Sequence, residues 1–471
     1  MQKATISILT LILLLFSALS LIFIQSTNAG IAPVENSWAT KAPMQIARSY
    51  LGVASVNGKI YAIGGISVPS VLDVSHSGGL PVFTEAKIVG TNEEYDPLTN
   101  TWSTKTDMLI ARAHFAIAAF ENEVYCIGGT TDSTAVPVNE VYYPSNDSWT
   151  TKALLPTPEE GMQANIVNGK IYVIGGGPNY VYNPASDNWT AIASMPNAPN
   201  GTQSSCVYDN KIYVVGSPCM QIYNPENNTW TAGIQIPIAA TQPIAVATSG
   251  LNAPAQIYIF EESVLAAFNP QTNSWMDAAV LPPVQTNPGS DVDRVVADHR
   301  GYGVTVLNDV IYVVGGESVT SLKSSFYTED TAELAINQAY IPFGYGTIPP
   351  EIIVSSPLNA NYSSSDVALN FSINKPVNWT GYSLDGQQNV TLTGNITISN
   401  LKNGLHSLTV YANDTYGNTG ASQTITFNVG KTAIATSLTT TTVLIAAPIL
   451  IVCFVAGLLI YLKKHRGSIK S

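Results

Sequence analysis

Charge is what this chain has least of. Only 11% of its 471 residues are Asp, Glu, Lys or Arg, and 32 acidic side chains against 20 basic ones leave a net charge of −12. An acidic, weakly charged surface repels phosphate, which argues against nucleic acid as a partner. Histidine is scarcer still: His76, His114, His299, His406 and His465 stand far apart, with His114 read as part of a strand and none in a short metal-ligand spacing. Four cysteines are too few for a disulfide scaffold. Cys126 sits in an apolar run as a small hydrophobe and Cys453 in a C-terminal apolar span, while Cys206 and Cys219 flank one strand and could pair in an oxidising compartment. There is no Gly-x-Ser-x-Gly and no phosphate-binding loop. The carboxylate pairs Asp291/Asp293 and Glu261/Glu262 read as solvated loops. No catalytic residue, metal or cofactor is expected.

What the chain has instead is repetition. The stretch NGKIYVIGGGPNYVYNPASDNWT, from Asn168 to Thr190, contains a turn, a buried apolar strand, the pair Gly175-Gly176, a second strand through Tyr182 and a tight turn into Trp189. Its first words recur as Ile60-Tyr61-Ala62-Ile63-Gly64-Gly65, Val124-Tyr125-Cys126-Ile127-Gly128-Gly129, Ile212-Tyr213-Val214-Val215-Gly216, Ile257-Tyr258-Ile259-Phe260 and Ile311-Tyr312-Val313-Val314-Gly315-Gly316. The period is roughly 40 to 50 residues. A second series fixes the register: Tyr95, Tyr142, Tyr182, Tyr223, Phe268 and Tyr340 each precede a Pro by two positions. In the first five, Trp102, Trp149, Trp189, Trp230 and Trp275 follow at constant separation. The intervening LTNT, SNDS, ASDN, ENNT and QTNS are hairpin turns by composition.

These words resemble the Kelch repeat over about residues 35–345. The resemblance implies an all-β fold, a propeller of four-stranded blades around a central channel. The residues agree: each unit is rich in Val, Ile and Tyr, and one four-stranded sheet cannot bury both faces without neighbours. The sixth copy ends at Tyr340-Ile341-Pro342 with no following Trp, and the missing piece stands at the other end as Glu35-Asn36-Ser37-Trp38. Six blades closed by an N-terminal strand are expected, with no free edge at the seam.

Outside the repeats, 1–29 reads as a signal peptide, with Lys3, an apolar run from Ile6 to Ile24 and small residues at Thr27-Asn28-Ala29. The propeller takes 30–346. Residues 347–430 read as a small β-sandwich of immunoglobulin or fibronectin type, with turns at Asp385-Gly386 and Asn403-Gly404. Its segments Tyr382 to Gly386 and Gly404 to Leu408 resemble modules of archaeal cell-surface proteins. A Ser/Thr-rich stalk, 431–442, leads to VLIAAPILIVCFVAGLLIYL at 443–462, long and apolar enough for one transmembrane helix. Lys463, Lys464 and Arg466 then place 463–471 in the cytoplasm. Asn-x-Ser/Thr acceptors at Asn146, Asn188, Asn200, Asn227, Asn361, Asn370, Asn378, Asn389, Asn395 and Asn413 suit a glycosylated ectodomain.

Two connections exceed what the repeat requires, 66–90 and 317–336, and both follow a Gly-Gly strand, hence emerge on one face. Long insertions on one face are where repeat folds place recognition. The expected function is binding of an extracellular protein or glycan through those loops, with one membrane anchor. The alternative is an extracytoplasmic carbohydrate-active oxidase or lyase, the class to which galactose oxidase, a Kelch-type enzyme with copper on Tyr and His, belongs.

Overall fold

The Lys-Ile-Tyr words form strands because branched and aromatic side chains pack well on a pleated surface. Asn-Gly and Asx-rich pairs, in which both residues take positive φ, turn them into tight hairpins, as at Asn57 (52°) and Gly58 (75°). In a computed structural model that describes residues 34–67, 86–132, 134–197, 202–216, 219–238, 242–262, 264–282, 295–321 and 329–430, these hairpins build six four-stranded antiparallel sheets. Among the described residues there is no helix. The segments expected to be a signal peptide, stalk, transmembrane span and tail lie outside those residues, as do His76, Asn200, Asp291, Asp293, Cys453 and His465.

The chain divides into two units, Met1–Pro349 and Pro350–Ser471. In the first, sheet I holds Gly52–Val56, Lys59–Ile63, Asn92–Asp96 and Thr101–Lys105, and sheet II holds Ala116–Phe120, Glu123–Ile127, Asn139–Tyr143 and Ser148–Thr151. Sheet III holds Gln163–Val167, Lys170–Ile174, Tyr180–Asn183 and Asn188–Ala191, and sheet IV holds Ser204–Tyr208, Lys211–Val215, Cys219–Asn224 and Thr229–Gln235. Sheet V holds Ile244–Ala247, Ile257–Glu261, Val264–Asn269 and Ser274–Asp277. Sheet VI takes Gly303–Leu307, Val310–Val314 and Asn337–Ile341 from late in the chain and its outer strand, Ser37–Thr40, from the start, with Trp38 opposite Tyr340.

The inner strands touch in cyclic order, I to VI and back to I. They enclose a cavity of about 390 Å³, lined by small side chains such as Ala54, Ala118, Ser205 and Ala245. Each junction between neighbouring sheets buries its own apolar cluster, for example Tyr125 and Ile127 of sheet II against Ile171, Val173 and Tyr182 of sheet III. That is the arrangement of a β-propeller.

The second unit has two sheets over one core. Ile352–Ser356, Val367–Ile373 and Ile396–Ile398 form one; Gly404–Asp414, Val377–Leu384 and Ile425–Val429, with three short strands, form the other. Val367 and Leu369 from the first meet Leu408, Val410 and Phe427 from the second, all nearly inaccessible.

Two expectations are corrected here. Cys206 and Cys219 are free thiols. Cys206 is in the inner strand of sheet IV and Cys219 begins the third, so a whole strand lies between them. Two strand spacings amount to about 9.5 Å, beyond the roughly 7 Å Cα separation a disulfide spans. Glu261 is no solvated loop residue: it ends the second strand of sheet V, buried, and its carboxylate accepts the Gln242 N–H at 3.1 Å.

Candidate functional site

The repeated Tyr, Trp and Asx residues form a latch on the outer rim. In sheet II, Tyr142 Oη donates to Asp147 Oδ1 at 2.7 Å, the same carboxylate accepts Thr106 N–H of sheet I's continuation at 2.8 Å, and Trp149 Nε1 donates to the Thr106 carbonyl at 2.8 Å. Tyr182, Asp187 and Trp189 do the same against Ala153; Tyr223, Asn228 and Trp230 against Ala193; Tyr95, Asn100 and Trp102 against Ala42. At the seam Tyr340, Asn36 and Trp38 repeat it against Ala279. These side chains hold neighbouring sheets of the ring together.

The glycine pairs act at the opposite face. Gly128 and Gly129 have φ of 66° and 92°, and a Cβ on Gly129 would meet the Ala113 carbonyl at 2.6 Å, so only glycine fits. Gly129 N–H bonds the Glu159 carbonyl of the approach to sheet III; Gly65 and Gly316 do likewise to Arg112 and Arg48, with Gly64 and Gly315 also left-handed. Gly175 and Gly176 are not left-handed, and no small extra sheet follows them.

On this face lie the extra sheets found among the described residues of the first unit. Ile66–Ser67 pairs with Lys87–Ile88, and Thr130–Thr131 with Thr134–Ala135. Val295–Arg300, Glu317–Ser321 and Glu329–Glu333 make a three-stranded sheet, so part of the 317–336 insertion and the segment before sheet VI are one element. Its register sets Arg300 opposite Glu317 and Glu317 opposite Glu333. Arg300 Nε lies 2.6 Å from Glu317 Oε1, and Tyr50 Oη donates to the same oxygen at 2.8 Å. Burial and the neighbouring Glu317 charge push the Glu333 carboxyl above the usual range. Burial, then the Glu317 hydrogen bond, push the Tyr50 phenol up to about 12.

Tyr50 and His114 stand at equivalent places, two residues before the inner strands of sheets I and II, and both are left-handed, with φ of 53° and 55°. His114 is therefore ahead of its strand, not within it. Gly161 and Gly301 occupy the same position before sheets III and VI, with φ of 67° and 64°. The four hand a backbone hydrogen bond around the mouth: Tyr50 N–H to the Gly301 carbonyl, His114 N–H to Tyr50, Gly161 N–H to His114. A phenol and an imidazole thus hold a conformation glycine takes freely, at a cost on the order of 1–3 kcal/mol each. Their rings stack at 4.3 Å, both half-buried. Burial lowers the His114 pKa against the opposing pull of Glu160 and Glu317, so its imidazole is neutral at pH 7.

Two buried ion pairs support the mouth from below. Arg48 Nη2 meets Glu93 at 2.7 Å and Arg112 Nη1 meets Glu140 at 3.0 Å, all four side chains at 0% or 1% exposure. The signal for them was present as Ile46-Ala47-Arg48 and Ile110-Ala111-Arg112, each four residues from an inner strand. His299 pairs in register with Ser318 in the extra sheet. His406 belongs to the second unit, bonded to Asp385 Oδ2 and the Lys402 carbonyl, both at 2.7 Å. Among the described residues no three His, Cys, Asp or Glu side chains form a metal cluster. Of the glycosylation acceptors, Asn146, Asn188, Asn227, Asn361, Asn370, Asn378, Asn389 and Asn395 are exposed and Asn413 is half-buried.

The Kelch motif model matches residues 47–109 and 111–153, and the chain carries Kelch repeats. It is similar to halomucin of Haloquadratum walsbyi (33% identity over 156 residues, 29% of this chain and 2% of halomucin). It is also similar to the influenza virus NS1A-binding protein homolog of Mus musculus (35% over 89 residues, 19% of this chain and 11% of that protein). The chain thus spans a small part of the curated relatives it matches. The solved structure of YjhT aligns over 62% of this chain and 100% of its own, at 12% identity and a TM-score of 0.45.

Proposed function

We propose that this Kelch-repeat β-propeller is the binding head of a membrane-anchored surface protein, taking a protein or glycan on the face around Tyr50 and His114. In this reading the six sheets are six blades closed by Ser37–Thr40, and the second unit is an immunoglobulin- or fibronectin-like sandwich. Residues 1–29 direct export, 431–442 form a stalk, 443–462 cross the membrane, and 463–471 stay inside. One observation carries the choice of face: the extra sheets of the first unit and two strained, non-glycine residues gather at the same mouth. Strain kept at aromatic side chains where two sister positions use glycine points to a role for those side chains. Tyr is a preferred contact residue in recognition surfaces. The Mus musculus relative is, by its name, a protein binder.

The test is an array of cell-surface proteins and glycans probed with the detergent-solubilised full chain, with the Tyr50→Ala/Glu317→Ala variant, and with variants lacking 66–90 or 317–336. Ligands of the parent chain should be lost from the double variant. Ligands retained by all three variants would remove the proposed face. Reagents that label only outside-facing residues of intact cells test the orientation, which fails if the propeller is protected.

A further inference from the structure

The ring is not uniformly latched, and the exception is the junction between sheets IV and V. At the other five junctions, each Tyr bonds an Asx, that Asx caps a backbone N–H of the preceding sheet's continuation, and Trp Nε1 bonds the carbonyl of the same residue. In sheet V the Tyr position is Phe268, which has no hydroxyl to donate. Asn273 keeps the left-handed φ of its counterparts, 55°, and Trp275 still stacks on Phe268 at 4.8 Å. Yet among the described residues neither Asn273 nor Trp275 makes a hydrogen bond across to sheet IV.

Sheet IV supplies the complementary reason. In every latch the receiving residue lies four positions after the preceding sheet's Trp; in sheet IV that residue is Ile234. Elsewhere it follows the outer strand, but here the strand runs on to Gln235, and the pairing shifts between Ala232 opposite Gln221 and Gln235 opposite Cys219. Gly233 and Ile234 therefore oppose Met220 in a bulge, two residues against one. A Cβ on Gly233 would lie 2.9 Å from Met220 Cβ, so the bulge demands this glycine. The residue that would receive the latch thus lies in a bulge within its own sheet's outer strand rather than beyond that strand's end.

Two recesses border this junction. A cavity of about 230 Å³ lies between the two sheets, lined by Met220, Gly233, Ile234, Phe268 and Asn273 among others, and a second of about 590 Å³ opens beside it between Tyr208 and Gln271. Apolar contact and one inner hydrogen bond still join the two sheets: Ala245 N–H donates to Ser204 Oγ at 2.9 Å, and Cys206, Val215, Ile257 and Ile259 share an apolar cluster that reaches outward through Met220, Ile236 and Phe268. Sheet V is in turn tied to sheet VI, where the buried Asp309 carboxylate accepts the Ser249, Asn252 and Ala253 N–H groups.

We propose that the propeller opens at this seam: the outer strands of sheets IV and V part about their tied inner strands, while the other five junctions stay shut. The device lies in the fold and is independent of the ligand face.

Hydrogen exchange followed by mass spectrometry on the full chain tests it. Thr229–Gln235 and Ser274–Asp277 should exchange before the outer strands of the other sheets. Equal rates around the ring, or earlier exchange at another junction, overturn the proposal. Phe268→Tyr supplies the hydroxyl within reach of Asn273 and should slow exchange at Ser274–Asp277 roughly fivefold, the value of one net hydrogen bond, leaving other outer strands unchanged. No change there counts against the proposal. Tyr142→Phe should create a second fast strand at Ser148–Thr151; if it does not, the hydroxyl is not what shuts a junction.

Discussion

Tyr340 Oη donates a 2.8 Å hydrogen bond to Asn36 Oδ1 across 304 residues of chain. The same Asn36 oxygen caps Ala279 N–H at 2.7 Å, so one side chain joins the first strand of the ring, its last sheet and the sheet before it. Asn36→Gly removes both bonds but keeps the left-handed backbone (φ 51°) free of strain, and should cost about 2 kcal/mol in denaturant unfolding. Asn36→Ala adds roughly another 1 kcal/mol for an alanine in that conformation. Equal losses in both variants would mean the conformation is not held by the fold.

Arg112 and Glu140 are both fully buried, and the arginine also donates to the Cys126 carbonyl at 3.1 Å. Arg112→Met leaves a carboxylate without its partner and should destabilise the first unit by about 3–5 kcal/mol. Arg112→Met with Glu140→Leu should recover most of that. A double variant as unstable as the single would show that the pair fixes the geometry rather than cancelling its own charge.

The two histidines predict opposite pH responses in the two units. Burial lowers the His114 pKa, so the unfolded chain binds more protons; stability of the first unit is intact above the ordinary value of about 6.5 and falls as pH drops below it. His406 is raised, first by its bond to the Lys402 carbonyl and then by Asp385, against burial. Its contribution is full below about 6.5 and fades as pH rises through the raised value. Unfolding followed by hydrogen exchange from pH 5 to 8 should show the two units moving in opposite directions. His114→Asn and Asp385→Asn should each flatten one response; a shared direction would contradict both assignments.

His114→Gly separates strain from recognition. The glycine relieves the left-handed backbone while losing the stack on Tyr50, so stability should stay within about 1 kcal/mol of the parent. Ligand binding on the array should fall sharply. Retained binding with raised stability would make the strain a structural accident.

What could be read in the sequence was whatever repeats at fixed spacing. Tyr and Trp recur seven residues apart, and the absence of a Trp after Tyr340 pointed to Trp38 because the matching Asn36-Ser37 word stood unused at the other end. The Asx residues were legible only as turns, since their second role depends on a backbone N–H one sheet away. The Arg pairs were hidden by the insertion: Glu93 lies 45 residues from Arg48, whereas Glu140 lies 28 from Arg112. Tyr50 and His114 carry no local mark of a left-handed backbone, because neither is glycine or asparagine. The Cys206 and Cys219 pairing failed because flanking a strand in sequence places two residues on strands that are not neighbours.

The most direct test of the account removes residues 34–44 from the full chain. Sheet VI then loses its outer strand, its latch to sheet V and the edge protection both provide. The account predicts a shift to aggregates in size-exclusion chromatography and a large fall in melting temperature. A truncated chain that stays monomeric and melts with the parent would show that the ring is closed without Trp38 and Tyr340.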